Sequence, residues 1–286
     1  MDTKLRIALQ KKGRLHDDSI KLMKESGIKF NIGQGRLVAK SEKFPAEALF
    51  LRDDDIPQTV ADGVSDLGVV GENEYAEKEY ELNIIKRLGF SKCRLSLAIP
   101  KSEEYKDLSW FEGKKVATSY PVILKRFFNE KKINADIHEI AGSVEIAPGI
   151  GIADAIFDIV SSGSTLVANS LKEVEVVMKS EALLVANKNL SKEKQELIDQ
   201  MLFRFNAVEA SNSNKYILLN APNENIKEIV SILPGMKSPT VLPLAEEGWS
   251  SVHSVINETK FWDVIDQLKA NGAEGILIIP IEKMIL

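Results

Sequence analysis

The chain has 286 residues, 44% hydrophobic and 28% charged, with a net charge of −5. This is the composition of a soluble globular protein with room for two or three domains, not that of a general nucleic-acid binder, which is ordinarily basic. The single cysteine, Cys93, excludes an intramolecular disulfide and a two-cysteine zinc site, and no run reaches the ~20 apolar residues of a membrane span.

The opening residues Met-Asp-Thr-Lys-Leu-Arg are too charged for a secretion signal, so a cytoplasmic protein is expected. Residues 5–10 read as a strand and 17–26 as a helix, with Ile20, Leu22 and Met23 apolar and Gly27 as its stop. Strand, helix and strand follow at 48–52, 56–61 and 66–70. Residues 82–88 and 94–99 continue the pattern, and 115–118, 121–131 and 135–140 repeat strand, helix, strand. The expected class is α/β with largely parallel sheets.

Residues 61–71 echo residues 153–163, with Ala, two Asp and a final Gly in common. Each copy reads as a helix end, a short buried strand and a glycine at the strand's carboxyl end, where open α/β sheets bind ligands. Two related lobes facing across a cleft are expected, and chance similarity between two α/β units is the alternative. The chain is expected to cross between lobes near Ser91 and Glu175. Lobe I would comprise 1–91 and 176–210, with 175–186 as its returning strand and 192–204 as a helix, and lobe II would comprise 92–175. The polar stretch 209–214 reads as a linker. Beyond it, strands at 215–220, 240–244, 251–256 and 275–279 and helices at 224–233 and 261–270 give the ferredoxin-like order βαββαβ for a domain at 211–286.

The most informative segment is Asp158-Ile159-Val160-Ser161-Ser162-Gly163-Ser164-Thr165-Leu166. A buried strand there delivers a small, amide-rich turn. Successive N–H groups and hydroxyls form a nest for an anion such as phosphate. An ordinary strand-to-helix loop capped by Ser fits the same residues equally well. Lys11, Gly13 and Arg14 open the first helix in a setting suited to a polyphosphate, with a solvated basic turn as the plain alternative. Arg52 ends another strand. Asp53, Asp54 and Asp55 either hold Mg²⁺ through water or cap the next helix. Gly71 and Glu72, at the echoed strand end, are candidate substrate contacts that cradle a ligand backbone-to-oxygen, with a plain chain turn as the alternative. Glu145 suits a sugar hydroxyl or a first helical turn capped by Ser143. Ser119 suits a ligand or a helix cap.

These segments resemble the long-form ATP phosphoribosyltransferases, the first enzymes of histidine biosynthesis. The likeness runs through Leu-Arg-Ile-Ala-Leu-Gln-Lys-Lys-Gly-Arg-Leu at the start, Arg52-Asp53-Asp54-Asp55-Ile56-Pro57, and Asp66-Leu67-Gly68-Val69-Val70-Gly71-Glu72-Asn73. It continues in Cys93-Arg94-Leu95-Ser96-Leu97-Ala98, Ala117-Thr118-Ser119-Tyr120-Pro121, Gly142-Ser143-Val144-Glu145 and Pro280-Ile281-Glu282-Lys283-Met284. The resemblance implies two lobes like those of periplasmic binding proteins, and a C-terminal domain that binds histidine as a feedback inhibitor. It implies ATP and phosphoribosyl pyrophosphate as substrates, Mg²⁺ carried mainly by pyrophosphate, and a homo-oligomer, dimeric or hexameric.

By the same resemblance, Ser161, Ser162, Gly163, Ser164 and Thr165 hold the 5′-phosphate and Asp158 lies near the ribose. Lys11, Gly13, Arg14 and Arg52 face the pyrophosphate and ATP phosphates. Ser238, Thr240 and Ala273 are the candidate histidine contacts. The chain departs from the family's pattern at Ser162, where Thr is common, and at Gly149, where close relatives often carry Arg.

Overall fold

A computed structural model describes residues 3–33, 35–233 and 235–285; Met1 and Asp2 of the opening segment lie outside them. The chain divides into two compact units, residues 1–21 with 29–195 and residues 22–28 with 196–286. Among the described residues no helix is long and apolar enough to cross a membrane.

The larger unit holds two sheets. The first has the order β2-β3-β1-β4-β11-β5, from β1 (Leu5–Gln10), β2 (Val38–Lys40), β3 (Ala46–Leu51), β4 (Leu67–Gly71), β5 (Asn83–Arg87) and β11 (Ala182–Ala186). The second has the order β10-β6-β9-β7-β8, from β6 (Cys93–Pro100), β7 (Lys115–Thr118), β8 (Asp136–Glu139), β9 (Ala155–Val160) and β10 (Leu171–Ser180). Helices α1 (Arg14–Glu25), α2 (Ile56–Ala61), α3 (Glu72–Lys78), α4 (Pro121–Lys131) and α5 (Ser164–Ala168) connect them.

The sheets are mixed rather than largely parallel. β3, β1 and β4 run parallel, as do β8, β7 and β9, but β11 lies antiparallel to β4 and β5, and β6 antiparallel to β9 and β10. Read from β3 and from β8, the two sheets therefore have the same topology, with β4 and β9 in matching places. The sequence echo marks this correspondence. α3 starts at Glu72 and α5 at Ser164, the same 92-residue offset (164 − 72), and Gly71 and Gly163 are their N-cap residues.

The expected strand at 175–186 is two strands in two sheets. β10 stays in the second lobe beside β6, and the chain crosses at Glu181 into β11. The polar Lys179-Ser180-Glu181 marks the break, but two apolar runs separated by so few residues read as one strand. Each lobe has its own core: Ala8, Ile56, Val60, Val70, Leu183 and Val185 in the first, and Leu95, Leu97, Phe111, Val116, Leu124 and Phe157 in the second.

The smaller unit carries β12 (Asn214–Pro222), α7 (Ile226–Ile232), β13 (Thr240–Pro243), β14 (Trp249–Asn257), α8 (Glu258–Ala270) and β15 (Glu274–Pro280) in a sheet of order β13-β14-β12-β15. That is the expected ferredoxin-like βαββαβ arrangement, closed over Ile217, Leu219, Ile229, Val252 and Leu268. The expected linker at 209–214 is not a linker. α6 (Lys192–Ser213) runs through it and β12 follows at once. Its polar side chains bond back to the helix: Ser213 Oγ donates to Glu209 O, Asn214 Nδ2 to Ala210 O, and Ser211 Oγ to Val208 O.

Candidate active site

The carboxyl ends of β3, β1 and β4 present Arg52, Lys11 and Gly71 side by side. Gln10 pairs with Leu51, and the Lys11 amide donates to Leu51 O at 2.7 Å. Lys11, Gly13 and Arg14 are exposed, as is Arg52, whose guanidinium meets the Asp54 carboxylate at 3.2 Å. Asp54 is thus an ion-pair partner. Asp55, the N-cap residue of α2, makes no side-chain cap bond, so neither carboxylate is the cap that the sequence offered.

In the second lobe, β9 ends at Val160 and Ser161-Ser162-Gly163 turns the chain into α5. Gly163 is the N-cap, with φ +82° and ψ 0° and no side-chain cap bond. The Ser162 hydroxyl accepts from the Ser164 amide at 3.4 Å, so serine bonding at the helix start accounts for part of this loop, as the plain alternative expected. The Ser162 and Ser164 hydroxyls lie 3.0 Å apart, and Leu166 anchors the short helix in the core. The first amides of a helix have no intrahelical acceptor, so the turn places such donors beside four exposed hydroxyls, those of Ser161, Ser162, Ser164 and Thr165. Gly71, in the matching place, has φ −66°, so of these two helix starts the left-handed glycine is in the second lobe; in the first lobe the glycine with positive φ is Gly13, at +96°, just ahead of α1.

The two lobes meet at this loop. Arg14 Nη1 donates to Ser161 Oγ at 3.2 Å, and its Nη2 donates to Lys92 O at 2.7 Å. Arg94, on β6, was not singled out from the sequence. Its Nη1 donates to Ser161 O at 3.1 Å, and it forms a two-pronged ion pair with Glu173 at 2.5 and 2.6 Å. Ser96 Oγ donates to the same carboxylate at 2.6 Å. Arg94 holds Glu173 below the usual carboxylate range. The available signal was Arg94 and Ser96 alternating with apolar residues in a buried strand. A cleft of about 630 Å³ opens alongside, lined by Ser161, Lys92, Arg94, Lys179, Arg87 and Glu72 among others.

Asp158 lies in β9 opposite Ser96. Burial pushes its carboxyl up to about 6, against a backbone hydrogen bond from Ile159 and with the Glu145 charge adding to the rise. Ser143 makes no side-chain cap bond, and Ser119 Oγ donates to Ile140 O instead of capping α4. Glu72 is engaged by Arg87, which also donates to Glu181 at 3.2 Å. Gly71 gives room rather than a contact: a Cβ there would lie 2.4 Å from Asn73 Oδ1.

In the smaller unit, Thr240 opens β13 at one edge of the sheet and Ser238 is exposed just before it. Ala273 is buried just ahead of β15 at the other edge. These three residues do not converge within one chain.

A family model described as ATP phosphoribosyltransferase matches residues 52–207, and one described as HisG, C-terminal domain, matches 211–283. An ATP phosphoribosyltransferase of Phocaeicola vulgatus is 65% identical over 282 residues, covering 99% of this chain and 100% of the relative. Among solved structures, the ATP phosphoribosyl transferase (HisG:HisZ) complex of Thermotoga maritima matches with a TM-score of 0.61 and 27% identity, covering 71% of this chain and 96% of that one. A histidine kinase sensor domain similar to periplasmic binding proteins matches with a TM-score of 0.50 at 9% identity, covering 73% of this chain and 91% of that one; this is a likeness of fold alone.

Proposed function

Because the chain belongs to the ATP phosphoribosyltransferase family, and is therefore a pentosyltransferase, we propose that it transfers the phosphoribosyl group of phosphoribosyl pyrophosphate to N1 of ATP. The products are phosphoribosyl-ATP and pyrophosphate, in the committed step of histidine biosynthesis. The observation that carries this reading is the left-handed Gly163 turn in one lobe with Arg14 of the other lobe 3.2 Å from its Ser161 hydroxyl.

In this reading Ser161 to Thr165 hold the 5′-phosphate, and Asp158 and Glu145 lie beside the ribose. Lys11, Gly13, Arg14 and Arg52 take the pyrophosphate and ATP phosphates. The adenine N1 lone pair forms a bond to the anomeric carbon as the bond from that carbon to the pyrophosphate oxygen breaks. The electron pair leaves with pyrophosphate. Positive charge on the ribose is met by Asp158, and negative charge on the leaving group by the first-lobe cations. No covalent enzyme intermediate is needed, so the rate rests on positioning and charge. Mg²⁺ would be carried mainly by the pyrophosphate oxygens, where it would neutralise the departing group's charge.

Protein mixed with ATP, phosphoribosyl pyrophosphate and Mg²⁺ is expected to form phosphoribosyl-ATP, followed by its absorbance. No product with both substrates bound refutes the proposal. Arg94→Lys, which loses the two-pronged geometry and the Ser161 carbonyl, is expected to raise KM for phosphoribosyl pyrophosphate about tenfold while KM for ATP stays level. We further propose that residues 211–286 mediate feedback by histidine in a homo-oligomer. Added histidine is expected to slow product formation in the full chain, and an unchanged rate contradicts it.

A further inference from the structure

α3 follows β4 in the first lobe, yet its inward face is polar: Asn73, Glu74 and Glu77 are each no more than 8% exposed. Every one of these side chains is engaged with, or one bond removed from, the second lobe. Glu77 accepts from the Val122 amide at 2.9 Å and the Ile123 amide at 3.0 Å. These are the second and third residues of α4, whose N-cap Tyr120 makes no side-chain cap bond and whose first residue, Pro121, has no N–H. A helix of the second lobe is thus capped by a carboxylate from the first.

Beside this cap, Tyr120 Oη donates to Glu74 Oε1 at 2.9 Å and accepts from Asn73 Nδ2 at 3.2 Å. Asn73 Oδ1 accepts from Ser180 Oγ, at the end of β10, at 2.8 Å. Ala76 packs against the second-lobe core that includes Tyr120, Ile123 and Leu124. The charges around the network come from both sides. The Asp53 and Asp54 charges reach Glu74, Glu139 reaches Glu77, Lys78 of α3 itself reaches both, and Asp158 reaches Tyr120. Such a buried, directional network is costly to leave half-made, so it favours one relative setting of the two lobes.

We propose that Glu77, Glu74 and Tyr120 form an interlobe latch whose task is positioning: it sets the distance between the first-lobe cations Lys11, Arg14 and Arg52 and the second-lobe phosphate turn. The proposal rests on the phosphoribosyl-transfer reading of that site. None of the three residues need touch substrate. A ligand that lies within one lobe should be indifferent to the latch, and a ligand that bridges both lobes should depend on it.

The test uses the full chain with Glu77→Ala, Glu77→Gln and Tyr120→Phe, the last removing only one hydroxyl should the others fold poorly. Ribose 5-phosphate, which needs only the turn and Asp158, is expected to keep its Kd within about twofold. Phosphoribosyl pyrophosphate is expected to bind about tenfold more weakly in Glu77→Ala and Tyr120→Phe, with kcat also lowered and Glu77→Gln in between. Hydrogen exchange at the Val122 and Ile123 amides is expected to quicken in Glu77→Ala, a readout that does not depend on the reaction. Equal weakening of both ligands overturns the proposal, as does unchanged affinity and rate, or unchanged protection of those amides. Absence of phosphoribosyl-ATP from the wild-type protein overturns the reaction assignment instead, and the amide exchange still reports whether Glu77 holds the lobes.

Discussion

Gly163→Val is expected to weaken binding of phosphoribosyl pyrophosphate by on the order of 10²–10³-fold, the scale of losing one preorganised anion donor. The reason is conformational. At φ +82° the nearest atom to an added Cβ is Val160 Cγ1 at 4.0 Å, so there is room for a side chain but no comfortable backbone for it. A β-branched residue at such an angle carries strain of order 1–3 kcal/mol. The turn relieves that strain by rotating, which takes the amides at the start of α5 away from the phosphate. Arg94 and Leu166 still tether the loop's two ends, so the fold is expected to survive with a small loss in Tm. ATP affinity, measured alone, is expected to stay near wild type. Calorimetric titration of both ligands separates the effects, and near-normal phosphoribosyl pyrophosphate affinity would remove Gly163 from the site.

Asp158→Asn carries the second large effect, with opposite signs for activity and stability. The Asp158 carboxyl, pushed up to about 6 by burial, is an anion at neutral pH and a neutral acid below. If the anion stabilises positive charge on the ribose, kcat rises with pH through about 6, and the Asn variant loses on the order of 10²-fold in rate together with that pH limb. Stability runs the other way. The folded-state value lies above the ordinary 3.8, so the folded protein holds its proton more tightly than the unfolded chain. Stability therefore falls as pH rises from about 3.8 through about 6, and the full cost is present above. The gap corresponds to roughly 3 kcal/mol as an upper bound, reduced by the water the half-buried group retains. Asp158→Asn is expected to have a higher Tm than wild type at pH well above 6, with the difference closing toward pH 4. A variant that keeps both the rate and the acid limb would exclude Asp158 from catalysis.

The strand-end turns were legible in the sequence because their chemistry is local: Ser161-Ser162-Gly163 and Lys11-Lys12-Gly13-Arg14 each follow a run of buried apolar residues. The βαββαβ order was legible from periodicity. α3 was not, because Glu-Asn-Glu-Tyr-Ala-Glu-Lys has no apolar period, and its buried face is polar for the sake of a partner 45 residues or more away in sequence. Arg94 was hidden for a related reason. It reads as one polar residue in a strand, and its purpose depends on Glu173 and Ser161, which only the sheet brings together. The 209–214 stretch shows the converse: a loop-like composition in which side chains bonding back to helix carbonyls keep the helix going.

The two lobes repeat one topology but differ where the site needs them to differ. At the matching helix starts, Gly71 is extended and clears space for Asn73, while Gly163 is left-handed. One strand end thus lies at the joint between lobes, and the other carries the turn proposed to hold the 5′-phosphate.

The most direct measurement is a crystal structure with phosphoribosyl pyrophosphate and Mg²⁺ bound. The 5′-phosphate is expected within hydrogen-bond distance of the amides and hydroxyls of Ser161 to Thr165, with the ribose beside Asp158 and the pyrophosphate toward Lys11, Arg14 and Arg52. A 5′-phosphate seated on the first-lobe cations, with the Gly163 turn empty, would contradict the assignment of the two lobes.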